Sequence, residues 1–172
     1  MAIIVILFFR GLGKTDFVSS SVQGTNKTNS ERIAERQRLI MLEQEKLAAK
    51  KMQAVKSYLI ESLAPYVEEE ELMILITNAQ KWIKETGFVP EPITTNGKLT
   101  TLDLRHLAWN IGKRLDWNGN QCATFIKICF HLEMKDLEIE TIRRNLRQKG
   151  SCIIELDVPE NDSYEFHSVI TE

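Results

Sequence analysis

Glycine, proline and cysteine are all scarce in this chain of 172 residues, which contains eight, four and three of them respectively. So little glycine and proline excludes collagen-like and low-complexity classes and leaves long stretches able to form helices. The cysteines, Cys122, Cys129 and Cys152, are odd in number and lack paired spacing, which argues against a secreted disulfide framework. We therefore predict reduced, buried thiols in a cytoplasmic protein.

Long apolar runs are lacking as well. The run from Ala2 to Phe9 is too short for a bilayer span of about 20 residues, and its first cation, Arg10, follows it rather than preceding it as in a signal peptide. The adjoining GLGKT resembles the end of a phosphate-binding loop, but Phe8 stands where that loop requires glycine. We predict no membrane association and no nucleotide site, and we interpret residues 1–29 as a flexible or poorly packed extension.

The chain also lacks a strong net charge. Its formal charge of −2 gives no whole-molecule field that would attract nucleic acid. The charges are unevenly distributed, however. Residues 102–150 carry nine Lys or Arg against six Asp or Glu, whereas residues 151–172 carry six acids and neither Lys nor Arg.

A long helix is predicted over residues 31–64, which contain neither glycine nor proline. Thr28 and Glu31 have the spacing of a capping box at its start. The second half has an apolar stripe at three-to-four spacing: Ala48, Met52, Val55, Leu59 and Leu63. A seven-residue repeat is broken at the second seam position by Arg36, Glu43 and Lys50. Two interpretations stay open: a solvated helix end with a packed second half, or a helix that forms a homodimer.

A second helix follows Pro65. Its first turn contains the glutamates of residues 68–71, which the helix dipole favours there, and Gly87 is placed to end it. Its apolar stripe consists of Leu72, Leu75, Ile76, Ala79, Trp82 and Ile83. We group residues 30–87 as a helical arm or hairpin. Residues 88–99, with two prolines and an Asn-Gly pair, are predicted to be a linker.

Residues 100–172 contain the most informative pattern. Helices are predicted over about 102–115, 120–131 and 137–149, with Thr100 and Asp103 marking the first start and the Asn118–Gly119 pair supplying a positive-φ turn. CIIELDV alternates as a strand, PENDS turns, and YEFHSVI returns. The predicted fold is therefore mainly α: a long helix, a second helix, and a three-helix winged-helix-like unit that ends in a β-hairpin.

In a winged helix, the third helix would be the recognition helix. Helix 137–149 carries the candidate DNA-binding residues Arg143, Arg144, Arg147, Thr141 and Gln148, which suit phosphates or base edges. Glu140 could instead hold Arg143 and Arg144 in ordinary surface ion pairs. The hairpin is acidic and would be repelled by DNA, which favours a second hypothesis, a helical protein-interaction module without nucleic-acid contact.

No pattern for catalysis, a metal or a cofactor is found. Cys122 and Cys129 share a helix face with core residues, whereas Cys129 and His131 point in different directions. No nucleophile has a partner base, so we predict that the chain is not an enzyme.

The run TLDLRHLAWNIGKRLDWNGNQCATFIKICFHLEMKDLEIETIRRNLRQKGSCIIELDV, with APYVEEEELMILITNAQKWI before it, resembles small accessory proteins encoded on mobilizable transposons, the TnpC-like group. The resemblance covers residues 28–167. It implies an auxiliary role in integration or excision of a mobile element beside a separate recombinase or other mobilisation protein. It assigns no functional residue.

Overall fold

The computed structural model describes residues 28–82, 84–160 and 163–167, and it is mainly helical there, as predicted. The described residues form α1 (Asn29–Leu63), α2 (Glu69–Lys81), α3 (Thr101–Arg114), α4 (Gly119–Cys129) and α5 (Ile139–Arg144). The chain divides into two compact units, residues 1–38 and 39–172. The extension predicted for residues 1–29 lies almost wholly outside the described residues.

The first unit contributes residues 28–38 to the description, and they form the start of α1. The Thr28 amide donates to Glu31 Oε2 at 2.7 Å, and the Glu31 amide donates to Thr28 Oγ1 at 3.3 Å. These reciprocal bonds satisfy two amides that lack helical partners, which confirms the predicted capping box. Every side chain from residue 28 to residue 38 is exposed.

In the second unit, one apolar core joins all five helices. The second half of α1 contributes Met52, Val55, Leu59 and Leu63, whereas Ala48 from the predicted stripe is exposed. The other fully buried apolar side chains in the described part of this unit include Leu75, Ile76, Ile93, Leu104, Leu107, Ile111, Phe125, Ile126, Phe130 and Ile142. Burying this much apolar surface is the main stabilising contribution to the unit.

The helix α2 begins with glutamates in its first turn, as its dipole favours, and buries its predicted stripe from Leu72 to Ala79. It ends at Lys81, so the predicted end at Gly87 is wrong by six residues. Gly87 has φ of 81° and belongs to the turn that follows. Ile83 of the predicted stripe is not among the described residues.

The predicted linker 88–99 has no regular secondary structure and packs into the core through Ile93 and Leu99. The buried Asn78 side chain forms two hydrogen bonds with the backbone of this segment. Asn78 Nδ2 donates to the Glu91 carbonyl at 2.7 Å, and the Glu91 amide donates back to Asn78 Oδ1 at 3.0 Å. The buried side-chain amide of Asn78 thus satisfies backbone groups of a loop that has no neighbouring strand to bond with.

Capping boxes begin both α3 and α4. Thr100 and Asp103 form the box of α3, as the sequence predicts, and Asn118 and Gln121 form that of α4. The prediction of positive φ at Asn118–Gly119 is wrong, because Asn118 has φ of −78° and serves as the N-cap. The left-handed residue of this turn is Asp116, with φ of 59°.

The last helix is much shorter than the predicted 137–149. It ends at Arg144, where Asn145 Nδ2 donates to the Thr141 carbonyl at 2.8 Å. Asparagine side chains compete in this way with continued helical bonding. Arg147 and Gln148 therefore lie beyond the helix, in a turn closed by the Gln148 amide and the Asn145 carbonyl.

The predicted C-terminal β-hairpin is not seen in the described residues, which contain no strand. The segment 153–157 lies along α3, and its backbone groups bind side chains of that helix instead of a second strand. The described part of the return segment, residues 164–167, is bound by Arg114 and Asp157. Residues 168–170 are outside the description, and the winged-helix-like unit stays a prediction.

Candidate nucleic-acid interface

The predicted basic residues lie on α5 and the turn after it. Ile142 and Leu146 anchor this region in the core, which turns the neighbouring arginines outward. Arg143 and Arg144 are one residue apart, and both reach the same carboxylate. Arg143 Nη2 lies 2.6 Å and Arg144 Nε 2.7 Å from Glu140 Oε1.

Glu140 accepts these bonds in an exposed position. The hydrogen bond from Arg143, with that from Arg144 and both positive charges, lowers the pKa of Glu140 to about 2. The two guanidinium groups keep 41% and 72% of their side-chain surface exposed. One carboxylate cannot neutralise two arginines, so the cluster retains a positive charge.

The other three candidates are placed differently. The Arg147 guanidinium lies 5.2 Å above the ring of Trp109, a cation–π contact. Gln148 accepts from Arg105 Nη1 at 3.0 Å through its side chain, and Thr141 is exposed. Neither Gln148 nor Thr141 lines the cleft that the arginines form.

That cleft, which we call the basic cleft, has a volume of about 240 Å³ and lies between α3, the start of α4, and α5. Its lining residues are Trp109, Lys113, Trp117, Gly119, Cys122, Arg143, Arg144, Leu146 and Arg147. None of these described lining residues is acidic. Four cations against the single carboxylate of Glu140 leave a surplus of three positive charges beside two indole rings.

The sequence analysis missed a second polar feature, a row of buried side chains on another face of α3. We call it the α3 ladder, and its members bind the backbone of the C-terminal segment: Asp103, His106, Asn110 and Arg114. Their spacing of three, four and four residues places them on one helical face. The same periodicity is present in the sequence.

The upper part of the ladder binds backbone groups of Gln148, Ile153 and Ile154. Asp103 Oδ1 accepts from the amides of Ile153 and Ile154 at 2.6 and 2.9 Å. Burial alone would raise the pKa of Asp103, but the bonds from Thr100 and these amides lower it overall. His106 places Nδ1 and Nε2 each 2.8 Å from a carbonyl oxygen, those of Ile154 and Gln148.

The lower part of the ladder binds backbone groups of Glu155, Asp157 and Glu165. Asn110 Nδ2 donates to the Glu155 carbonyl at 2.8 Å, and Asn110 Oδ1 accepts from the Asp157 amide at 2.9 Å. A parallel strand would pair with residues 155 and 157 in the same pattern. Arg114 donates to the Asp157 and Glu165 carbonyls and forms an ion pair with Asp157 Oδ1 at 2.5 Å.

Burial raises the pKa of each of the three cysteine thiols. Burial raises the pKa of Cys122 and of Cys129 to about 12, so both thiols stay protonated. Cys152 Sγ lies 3.4 Å from His106 Nδ1, but partial burial and the charges of Asp103 and Glu155 raise the pKa of that thiol. No group of three potential metal ligands occurs in the part of the chain that the structure describes.

No protein-family model matches the chain, and neither the curated proteins nor the solved structures contain a match. Among the described helices, none combines the length and apolar character needed to cross a bilayer.

Proposed function

We propose that this protein is a non-enzymatic accessory of mobile-element DNA integration or excision, and that it contacts DNA phosphates through the basic cleft. The proposal rests on one observation: Lys113, Arg143, Arg144 and Arg147 surround Trp109 and Trp117 without an acidic lining residue. Grooves that combine cations with exposed aromatic rings suit phosphate backbones and bases.

The short α5 favours backbone contact over base reading. Six residues span only about 9 Å of helix, which leaves few side chains to lie along a major groove. Exposed ion pairs contribute little in water, so a phosphate can replace Glu140 as the partner of Arg143 and Arg144. Binding of this kind is governed by counterion release and falls steeply with salt.

A salt titration of the intact chain tests this proposal. A labelled duplex of about 30 base pairs and the corresponding single strand serve as probes, and the variant is Arg143→Ala/Arg147→Ala. We expect at least about tenfold weaker binding at low salt and a log–log salt slope reduced by about two, one for each phosphate contact removed.

A charge-matched control separates a local effect from one of net charge. Lys46 and Lys98 are exposed and do not line the basic cleft, so Lys46→Ala/Lys98→Ala should bind almost like the parent chain. Equal affinity and slope for the parent and the Arg143→Ala/Arg147→Ala variant would refute phosphate contact at this cleft.

A second candidate function is a helical protein-interaction module that forms a homodimer through residues 31–64. The observation that favours it is a set of exposed apolar side chains on the part of α1 in the second unit: Leu39, Ile40, Met41, Leu42 and Leu47. Light scattering on the parent chain and on Ile40→Lys/Leu47→Lys tests it. A dimer that the variant converts to a monomer would support the candidate, and a monomeric parent chain would exclude it.

A further inference from the structure

A groove of the second unit is lined by the C-terminal segment and by none of the side chains of the α3 ladder. It has a volume of about 540 Å³, within the ~300–1,000 Å³ range of typical ligand sites. One wall is the end of α1 and the turn after it, including Glu61, Ser62 and Tyr66, and the other is the segment 153–157. We call it the edge groove.

The 153–157 wall presents backbone groups that α3 does not use. Asn110 donates to the carbonyl of Glu155 and accepts from the amide of Asp157. Arg114 donates to the Asp157 carbonyl. Backbone groups of alternate residues in an extended chain point to opposite sides, so those of Leu156 point away from α3. Leu156 lines the edge groove, and none of its backbone groups is bonded to another described residue.

The edge groove is negatively charged. Glu61 and Glu155 line it, and neither makes an ion pair with a described residue. Asp157 also lines it but is already paired with Arg114 and His167. No Lys or Arg is among the lining residues, and His167, which also lines the groove, is paired with Asp157. The groove is thus complementary to a cationic segment.

We infer that the edge groove binds an extended, lysine- or arginine-rich segment of a partner protein by strand addition. The partner backbone pairs with the amide and carbonyl of Leu156, while its cationic side chains pair with Glu61 and Glu155. Main-chain bonds give affinity in this mode and side chains give selectivity. This surface is separate from the basic cleft, so the inference does not depend on DNA binding.

The probe is a fluorescent, end-blocked Lys-Val-Lys-Val-Lys peptide, added to the intact chain at low salt. We expect saturable binding and a shift of the Leu156 amide signal in ¹H–¹⁵N spectra. The same peptide with N-methylated valines keeps its charge but loses backbone donors, and we expect it to bind at least about tenfold more weakly. An equally tight N-methylated peptide would overturn strand addition.

The carboxylates are tested by Glu61→Gln/Glu155→Gln, with Glu68→Gln/Glu70→Gln as the matched control, because Glu68 and Glu70 are exposed and do not line the groove. We expect about tenfold weaker peptide binding for the first variant only. Equal loss in both variants, or no binding by the parent chain, would overturn the inference. DNA binding by either variant should not fall, which keeps this result independent of the proposed function.

Discussion

Two arginine–carboxylate contacts in this protein have almost the same length and very different surroundings. Arg114 Nη2 lies 2.5 Å from Asp157 Oδ1, and its side chain has no exposed surface. Arg143 Nη2 lies 2.6 Å from Glu140 Oε1, with 41% of its side chain exposed. The first pair closes the α3 ladder over the C-terminal segment, and the second lies at the rim of the basic cleft.

The comparison shows that an ion pair's role depends on its burial more than on its distance. Water screens the Arg143–Glu140 pair and can compete for either group, so the arginine stays available to a phosphate. Arg114 is also stacked on Phe166, with its guanidinium carbon 4.1 Å from the ring centre. Its removal would leave the largely buried Asp157 carboxylate with only the exposed His167 as an ionic partner.

The largest expected effect follows from removing Arg114. We expect Arg114→Ala to lower the free energy of unfolding by about 3–5 kcal/mol, because Asp157 loses its cation and two carbonyls lose their donor. Urea denaturation followed by circular dichroism measures the change. Arg144→Ala is the control and should leave the unfolding midpoint unchanged. Similar losses in the two variants would remove the distinction between buried and exposed pairs.

Local signals in the sequence predicted much of the helical framework. The starts of α1 and α3 were readable because a capping box involves residues only three apart, Thr28 with Glu31 and Thr100 with Asp103. Apolar periodicity likewise identified most of the buried stripes of α1 and α2. These features depend on neighbours along one helix, so no knowledge of the tertiary fold was needed.

The C-terminal segment could not be predicted in the same way. Alternation in CIIELDV indicates an extended chain, but it does not specify whether a strand or a row of helix side chains pairs with that chain. The pairing is made by residues more than 40 positions away, such as Asn110 and Arg114. Of the five candidate DNA-binding residues, Arg143, Arg144 and Arg147 line one cleft, and their role in DNA binding stays a prediction. The tryptophans and Lys113 of that cleft come from α3 and the turn before α4.

A smaller effect is expected from Asn110, the amide side chain of the ladder. Asn110→Ala leaves the Glu155 carbonyl, the Asp157 amide and the Tyr58 hydroxyl each without one partner. We expect a loss of about 1–3 kcal/mol in unfolding free energy, since unpaired buried groups bear the desolvation cost. Asn120 is exposed on α4, so the control Asn120→Ala should not change the free energy of unfolding. If Asn110→Ala also left the free energy of unfolding unchanged, the backbone hydrogen bonds of Asn110 would not hold the C-terminal segment in place.

The smallest effect concerns His167, an exposed side chain beside the buried Arg114–Asp157 pair. Its Nδ1 lies 2.8 Å from Asp157 Oδ1. The hydrogen bond and charge of Asp157 raise the pKa of His167 above 6.5, and Glu160 adds a smaller rise. A raised histidine pKa stabilises the fold fully below 6.5 and loses that contribution as pH increases through the folded value. Asp157 has the opposite dependence: its pKa is below 3.8, because bonds from His167 and Arg114 outweigh burial, so its contribution disappears only in acid. The pair is therefore strongest between about pH 4 and 6.5.

An NMR titration of His167, with its signals assigned by His167→Gln, measures this pair directly. We expect a midpoint above 6.5 in the folded chain, a slightly lower midpoint in Glu160→Gln, and a return to about 6.5 in urea, where the Asp157 contact is lost. The shift should be modest, because His167 is largely exposed and solvent screens its partner. A folded midpoint at or below the value in urea would show that His167 does not bind Asp157. The buried Arg114–Asp157 pair would then hold the segment without an exposed counterpart.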